Sequence, residues 1–359
     1  MLVFLQLFAC NLLVLLIVVV VIYICMYIPK HSTMASIRKV TDRPDFNLYT
    51  MDYSADYKLD AIVSAGAEST RDFTNLVVRA LLPGVPIHID PIELGCSCCF
   101  APDVNGNYMM GRNFDLEDTS GVLIHTKPEN GYESIGFGNA GFTGITNVTG
   151  HTGRIASLLL PYTTLDGMNE KGFACCMLWL DDKPTKQETG KTPITTTVAL
   201  RLLLDRAANV DEAIALLKQY DMRAVSGGDY HFLLADASGR SVIAEWPEPT
   251  DELVIIEKVE AATNFFLTDI PETVNPGHGQ DRYESIQKVL EENHHIMTVD
   301  TMFDALESAQ QIVATDTSGT TQWSNVYELN FGRVHTVFHR EWKSVFDFSF
   351  DDFRSKGSV

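Results

Sequence analysis

The 359-residue chain is 45% hydrophobic and 21% charged, which excludes a disordered, collagenous or disulfide-stapled mini-protein and permits one large domain or two ordinary ones. Its 27 basic residues stand against 47 acidic ones, a net charge of −20, and a field of that sign repels phosphates and argues against a nucleic-acid partner. The carboxylates are spread along the chain, as on a solvated surface.

From Leu2 to Ile28 the only polar side chains besides tyrosine and cysteine are Gln6 and Asn11, and the first charge is Lys30. The block Leu12 to Ile28 approaches the ~20 apolar residues a spanning helix needs. The charged start and small-residue exit site of a cleaved signal peptide are not evident. Residues 1–29 are therefore expected to form a transmembrane signal anchor, or an uncleaved signal. Lys30, Arg38 and Lys39 follow the span, which by the positive-inside rule keeps the following chain cytoplasmic. A catalytic domain behind such an anchor more often faces outward, so the sequence leaves the orientation open.

Seven cysteines are present, two of them (Cys10 and Cys25) in the apolar span. The others, Cys96, Cys98, Cys99, Cys175 and Cys176, crowd into two short segments, which makes a poor disulfide framework. Without C-x-x-C pairs or nearby histidines no zinc site is expected.

Residues 30 to about 54 are polar without a clear period and read as a linker. Ala55 to Leu82 carries apolar residues at helical spacing, stopped by Pro83 and Pro86. From Cys96 onward short strand-like runs dominate, interleaved with helical patterns at Thr195–Ala208, Val210–Tyr220, Arg282–Glu292 and Thr301–Val313. Asn209 and Glu212 form a candidate capping box. This alternation predicts sheets covered by helices in an α+β arrangement.

Gly136 to Gly141 matches G-x-G-x-x-G, but no amphipathic helix follows to receive a phosphate, so it reads as a loop or glycine-rich strand. No G-x-S-x-G or H-E-x-x-H pattern occurs. The informative stretch is Gly95 to Asp115, GCSCCFAPDVNGNYMMGRNFD. Asn105-Gly106 signals a two-residue type I′ hairpin pairing Val104 with Asn107. Counted outward, that register sets Cys96 opposite Asp115, on one face of the sheet. Arg112 then falls out of phase, and its approach to Cys96 needs its length or a bulge near Gly111.

The spacing Cys96, Gly106, Gly111-Arg112-Asn113-Phe114-Asp115 resembles the N-terminal-nucleophile hydrolases of the choloylglycine hydrolase, penicillin V acylase and acid ceramidase group. Asp166-Gly167-Met168-Asn169-Glu170-Lys171-Gly172-Phe173 continues the likeness. Ala235-Asp236-Ala237-Ser238-Gly239 with Glu245, Thr263-Asn264, Gly279-Gln280-Asp281-Arg282-Tyr283 and Gln322 to Tyr327 follow in the family's order. The nearest likeness is to bacterial linear-amide hydrolases related to the isopenicillin N acyltransferases. The resemblance implies a four-layer αββα sandwich of two antiparallel sheets over 96–359, preceded by the transmembrane segment and a linker and helical pro-segment at 30–95. It also implies no cofactor, no metal and a small-molecule acyl amide as substrate, and it leaves a homo-oligomer open. The chain would be membrane-anchored and extracytoplasmic, or secreted if the N-terminal segment is removed.

The chemistry fits the residues. A thiol with a pKa of about 8.5 is a poor nucleophile at neutral pH, whereas an α-amino group at roughly 7.7–8.0 is suited to act as its base. Cutting the Gly95–Cys96 bond would put both on Cys96. By resemblance, Asp115 orients the new amine, Arg112 favours the thiolate, Asn264 donates into the oxyanion hole and Arg282 steadies the charged intermediate. Trp179 stands where the bile-salt enzymes carry an oxyanion-hole asparagine; only its backbone N–H can serve the oxyanion, and its ring walls the pocket. This weakens a bile-salt assignment and leaves an amidase one intact. Cys98, Cys99, Cys175 and Cys176 read as packing residues, Asn169 and Glu170 as a turn, and His231 and His278 as structural.

The function expected is a cysteine amidase that hydrolyses linear carbon–nitrogen bonds through a thioester. Its alternatives are an acyltransferase using the same acyl-enzyme and an inactive membrane-anchored binding module. Because the apolar span precedes Cys96, the catalytic part stays anchored after cutting only if the Ala55–Leu82 helices remain docked on it.

Overall fold

The run Phe173–Leu180 (FACCMLWL) has no polar side to show to water, and it lies buried along its whole length in the middle of a sheet. A strand covered on both faces reads as a continuous apolar run instead of an alternating one. The computed structural model describes residues 11–14, 16–17, 21, 27–43, 46–83, 95–116, 119–144, 147–224, 227–272, 274–312 and 319–354. Among these, nine strands make the larger sheet, in the order Arg38–Lys39, Leu48–Tyr53, Gly121–Thr126, Ser134–Asn139, Thr164–Asn169, Phe173–Leu180, Asp229–Asp236, Ser241–Glu245 and Val254–Glu257. Six make the smaller one: Ala261–Ala262, Gly95–Pro102, Tyr108–Leu116, Thr320–Glu328, Arg333–Phe338 and Val345–Ser349.

Helices Thr196–Arg206 and Val210–Leu217 pack on the larger sheet; Gln280–Glu292 and Val299–Ser308 pack on the smaller. The sheets meet through the Cys96 strand and the Trp179 strand. The order is helix, sheet, sheet, helix, an α+β fold in which each sheet buries one face on its partner and the other on helices.

Two expectations need correction. The larger sheet is not wholly antiparallel, because Leu48–Tyr53 runs parallel to Gly121–Thr126 from Leu48↔Gly121 to Tyr53↔Thr126. For the same reason residues 30–54 are not simply a linker. Leu48, Met51 and Tyr53 are buried, and the intervening Thr50 and Asp52 gave the segment its polar look. The helical pair falls at Leu59–Ala65 and Thr70–Leu81. Ser69 caps the second by accepting from Asp72 N, and both helices pack on the rest of the chain, burying Ile62, Val63, Phe73, Val77 and Leu81. The apolar span from Leu2 to Ile28 lies mostly outside the described residues. Among the described residues no helix is long and apolar enough to cross a membrane.

The glycine-rich run is strand Ser134–Asn139 followed by a 3₁₀ turn at Ala140–Thr143. Its glycines serve close strand approach: a Cβ on Gly136 would sit 2.5 Å from Thr164 Cγ2. Asn169 closes the turn that enters the Trp179 strand. Its Nδ2 donates to the Leu204 and Ala207 carbonyls at 3.0 and 2.7 Å, and its Oδ1 accepts from the amides of Lys171 and Phe173 at 3.0 and 3.3 Å. Asn169→Ala strands these buried groups and is expected to cost roughly 2–4 kcal/mol, read as a lower urea midpoint with an unchanged slope.

Candidate active site

Asn105-Gly106 does make a hairpin, but a different one from that expected. Asp103 accepts the amides of Asn105 and Asn107 on its Oδ1 at 2.7 and 2.8 Å, its backbone N–H donates to Asn107 O, and Gly106 takes φ +79°. The loop is therefore three residues long, ending in a left-handed glycine. That slips the register by one: Gly95 faces Asp115, Cys96 faces Phe114 and Cys98 faces Arg112. A one-residue slip exchanges the two faces of a strand. Cys96 consequently shares its face with Arg112, not with Asp115, and no bulge at Gly111 is needed.

On that face Arg112 Nη2 donates to Cys96 Sγ at 3.1 Å and to the Met177 carbonyl at 2.9 Å. Its Nε lies 3.3 Å from Asp166 Oδ2, an ion-pair distance without hydrogen-bond alignment. All three side chains are fully buried. Asp166 is itself held by Asn325 Nδ2 at 2.8 Å, Trp323 Nε1 at 3.3 Å and the Tyr327 hydroxyl. Those three residues alternate along Thr320–Glu328 and so share one face. Complete burial pushes the Cys96 thiol up to about 11; Arg112 opposes the rise and Asp115 adds to it. Burial would lower Arg112, but Cys96 and Asp166 outweigh it and hold the guanidinium above its ordinary value.

The Cys96 backbone is held from the other side. Its N–H donates to Asn264 Oδ1 at 2.9 Å, and its carbonyl accepts from Arg282 Nη1 at 2.9 Å. Arg282 Nη2 also donates to Asn264 Oδ1 at 2.6 Å, and Asn264 Nδ2 donates to the Trp179 carbonyl at 2.7 Å. Two donors on one atom and an acceptor on the other fix which end of the Asn264 amide is oxygen. Asp115 meets this group through Arg282 Nη1 at 3.2 Å, with Thr321 Oγ1 donating at 2.6 Å and Gln311 Nε2 at 3.3 Å. Burial raises the Asp115 carboxyl; Arg282 and Thr321 oppose it. A bulge between Thr321 and Trp323 brings Thr321 opposite Asp115 while keeping Trp323 opposite Phe114.

The five residues singled out in the sequence thus converge, with one exchange of partners: with the Gly95–Cys96 peptide intact, Asn264 and not Asp115 takes the Cys96 N–H. Trp179 enters through its carbonyl, and its ring packs edge-on against Tyr230 with centroids 5.3 Å apart.

A family model described as acyl-coenzyme A:6-aminopenicillanic acid acyl-transferase matches residues 103–342. The chain belongs to this family. A penicillin V acylase of Pectobacterium atrosepticum is 32% identical over 124 residues, which are 32% of this chain and 33% of that one, so the chain spans about a third of that relative. A mutant form of the conjugated bile acid hydrolase of Clostridium perfringens superposes with a TM-score of 0.53 at 16% identity, covering 72% of this chain and 93% of that one. The penicillin V acylase of Agrobacterium tumefaciens gives 0.52 at 18% identity, covering 71% and 86%. These folds and the family match place the chain in the N-terminal-nucleophile hydrolase group.

In this member of the acyl-transferase family the sequence reading missed Asp166, Thr321 and Gln311 as site neighbours. The buried His231 ring bonds Glu245 and the carbonyl next to Asn264. Asp166 and Glu245 stood within the quoted motifs, but nothing local said what they face. Beside the Trp179–Tyr230 pair, Asp229 opposes Leu180 and accepts from Thr185 Oγ1 at 2.7 Å. Burial, helped by Asp182, raises its carboxyl to about 7 against the pull of Thr185. A carboxyl raised in the folded state stabilises the fold fully below its unfolded value of about 3.9, and that stabilisation is lost as pH rises through about 7. Asp229→Asn is therefore expected to flatten the stability profile across that window and to gain on the order of 2–4 kcal/mol relative to wild type near pH 8, read from urea midpoints against pH.

Proposed function

We propose that this chain is a cysteine amidase that hydrolyses a linear carbon–nitrogen amide bond through an acyl-enzyme thioester. The observation that carries the reading is three contacts on one buried residue: Arg112 on the Cys96 sulfur, Asn264 on its N–H and Arg282 on its carbonyl. Opening of the Gly95–Cys96 peptide leaves an α-amine on the residue that bears the thiol. The amine takes the thiol proton, Arg112 balances the resulting sulfur charge, and the thiolate adds to the amide carbonyl. One Nδ2 hydrogen of Asn264 is committed to Trp179, and the second is available for the oxyanion. The carbon–nitrogen bond then breaks, the leaving amine takes the proton from the ammonium, and a thioester remains. Water attacks the thioester and gives a proton to the α-amine, which passes it to the departing sulfur, so that the acid and the thiol are released. Asp115 and Arg282 hold the terminus in place. The relatives named above point the same way, as penicillin V acylases and a conjugated bile acid hydrolase.

A second reading has its own support in the acyl-transferase description of the family: the same thioester handed to an amine. Product that depends on an added amine or acyl-thioester donor would favour it over hydrolysis. We also propose that residues 1–29 tether the protein at a membrane, extracytoplasmically. Cutting at Cys96 need not release the catalytic part, because Leu48–Tyr53 is a strand of its sheet. High-salt washing is expected to leave 96–359 with the membrane.

Mass spectrometry of the mature protein is expected to find a polypeptide beginning at Cys96. An intact chain that turns over phenoxyacetyl, bile-acid-glycine or long-chain acyl amides would reject the mechanism; an intact, inactive chain would favour a binding module. Cys96→Ser is expected to drop amide turnover to background at an unchanged melting temperature. Asn264→Ala is expected to lower kcat about 100- to 1000-fold, the usual loss for one oxyanion donor.

A further inference from the structure

Asn264 does its work only if the short segment carrying it keeps its place, and that segment belongs to neither large sheet. Strand Asn264–Phe265 pairs only with Gly277–His278 among the described residues. Besides the bonds of the Asn264 side chain, its backbone is held by two buried side chains on neighbouring strands of the larger sheet. His231 Nε2 lies 2.8 Å from the Thr263 carbonyl, immediately before Asn264. His231 Nδ1 lies 2.9 Å from Glu245 Oε1. Glu245 in turn accepts the Leu267 amide on Oε1 at 2.9 Å and the Thr268 amide on Oε2 at 3.1 Å. The segment is thus gripped by its carbonyl before Asn264 and by two amides after it. Both gripping side chains are fully buried.

The proton count makes the pair act as a unit. A carbonyl oxygen only accepts, so Nε2 carries a hydrogen, and a second proton must lie between Nδ1 and Oε1 or two lone pairs would face each other. The ring cannot turn over without breaking both contacts. Thr263 extends the grip, since its hydroxyl donates to the Gly279 carbonyl at 2.9 Å. Gly279 caps the Arg282 helix with φ +91°, and a Cβ there would lie 2.6 Å from Arg282 Nη2. The strut therefore sits behind both groups that hold the Cys96 backbone.

We infer that His231 and Glu245 are positioning residues for Asn264: they touch neither Cys96 nor Arg112, and they set the place of the oxyanion donor through the backbone on either side of it. This rests on the amidase reading above. The test uses the full chain with His231→Leu, Glu245→Leu and the near-isosteric Glu245→Gln, whose amide can still donate to Nδ1 and accept one backbone N–H. Turnover is expressed per Cys96 thiol, titrated by alkylation. Hydrogen exchange is followed by mass spectrometry on a peptide spanning 263–268.

The leucine variants are expected to lose 10- to 100-fold in kcat with KM within about threefold of wild type. The Leu267 and Thr268 amides should exchange at least tenfold faster while residues 232–235 keep their protection, and Glu245→Gln should recover most of the rate and the Thr268 protection while leaving Leu267, whose acceptor Oε1 becomes an NH2, exposed to exchange. A purely structural role would lower the melting temperature and leave the rate per thiol unchanged, and that result overturns the proposal. So does unchanged exchange at 263–268 in every variant. If wild type hydrolyses no amide at all, the functional reading fails, and the exchange measurement decides the strut alone.

Discussion

Around Cys96 a full guanidinium charge has been taken out of water and set against a sulfur. Burying such a charge without a partner costs several kcal/mol, so Arg112 is buried only because Asp166 faces it from the other sheet. Asp166 is a buried charge too, and it is satisfied by the hydroxyl, amide and indole donors of Tyr327, Asn325 and Trp323. Hydrogen bonds to a charged group are each worth about 1.5–3 kcal/mol, enough for the set to offset that burial. The chain of demands runs from sulfur to guanidinium to carboxylate to three alternate residues of one strand. It fixes which faces of the two sheets must meet.

The second arginine answers a different need. Arg282 arrives on a helix, across the smaller sheet, and divides its donors among the Cys96 carbonyl, Asp115 and Asn264. Cys96 is thereby fixed at sulfur, nitrogen and carbonyl oxygen by three different elements. Fixing of that kind is what lowers the entropic part of a reaction barrier. The raised carboxyl of Asp115 and the raised thiol of Cys96 share burial as their main cause, so the sulfur facing Arg112 is protonated at neutral pH.

The upstream segment belongs to the same structure. A strand paired over six residues in parallel register, with Leu48, Met51 and Tyr53 buried, is part of the sheet that supplies Asp166 and Trp179. Helix Thr70–Leu81 adds an apolar face of Phe73, Val77 and Leu81. These contacts do not depend on the continuity of the chain at Gly95.

Much of this was legible in the sequence, and the parts that were not share a cause. The apolar runs showed strands, the spacing in 55–82 showed the helical pair, and the family resemblance carried by the motifs around Cys96, Arg112, Asp115, Asn264 and Arg282 implied which residues meet. All of that follows from local periodicity, turn chemistry or a motif, and so the sequence alone determined it. Register did not follow, because the Asp103 side chain, just ahead of the turn, bound the loop amides and lengthened the loop by one residue. That slip moved Arg112 onto the face of Cys96 and Asp115 off it. The parallel strand at 48–53, the Asn264 bond to the Cys96 amide and the His231–Glu245 grip are likewise products of the tertiary structure. Each joins residues far apart in the chain, and their pairing energy exists only once the two sheets have closed on each other.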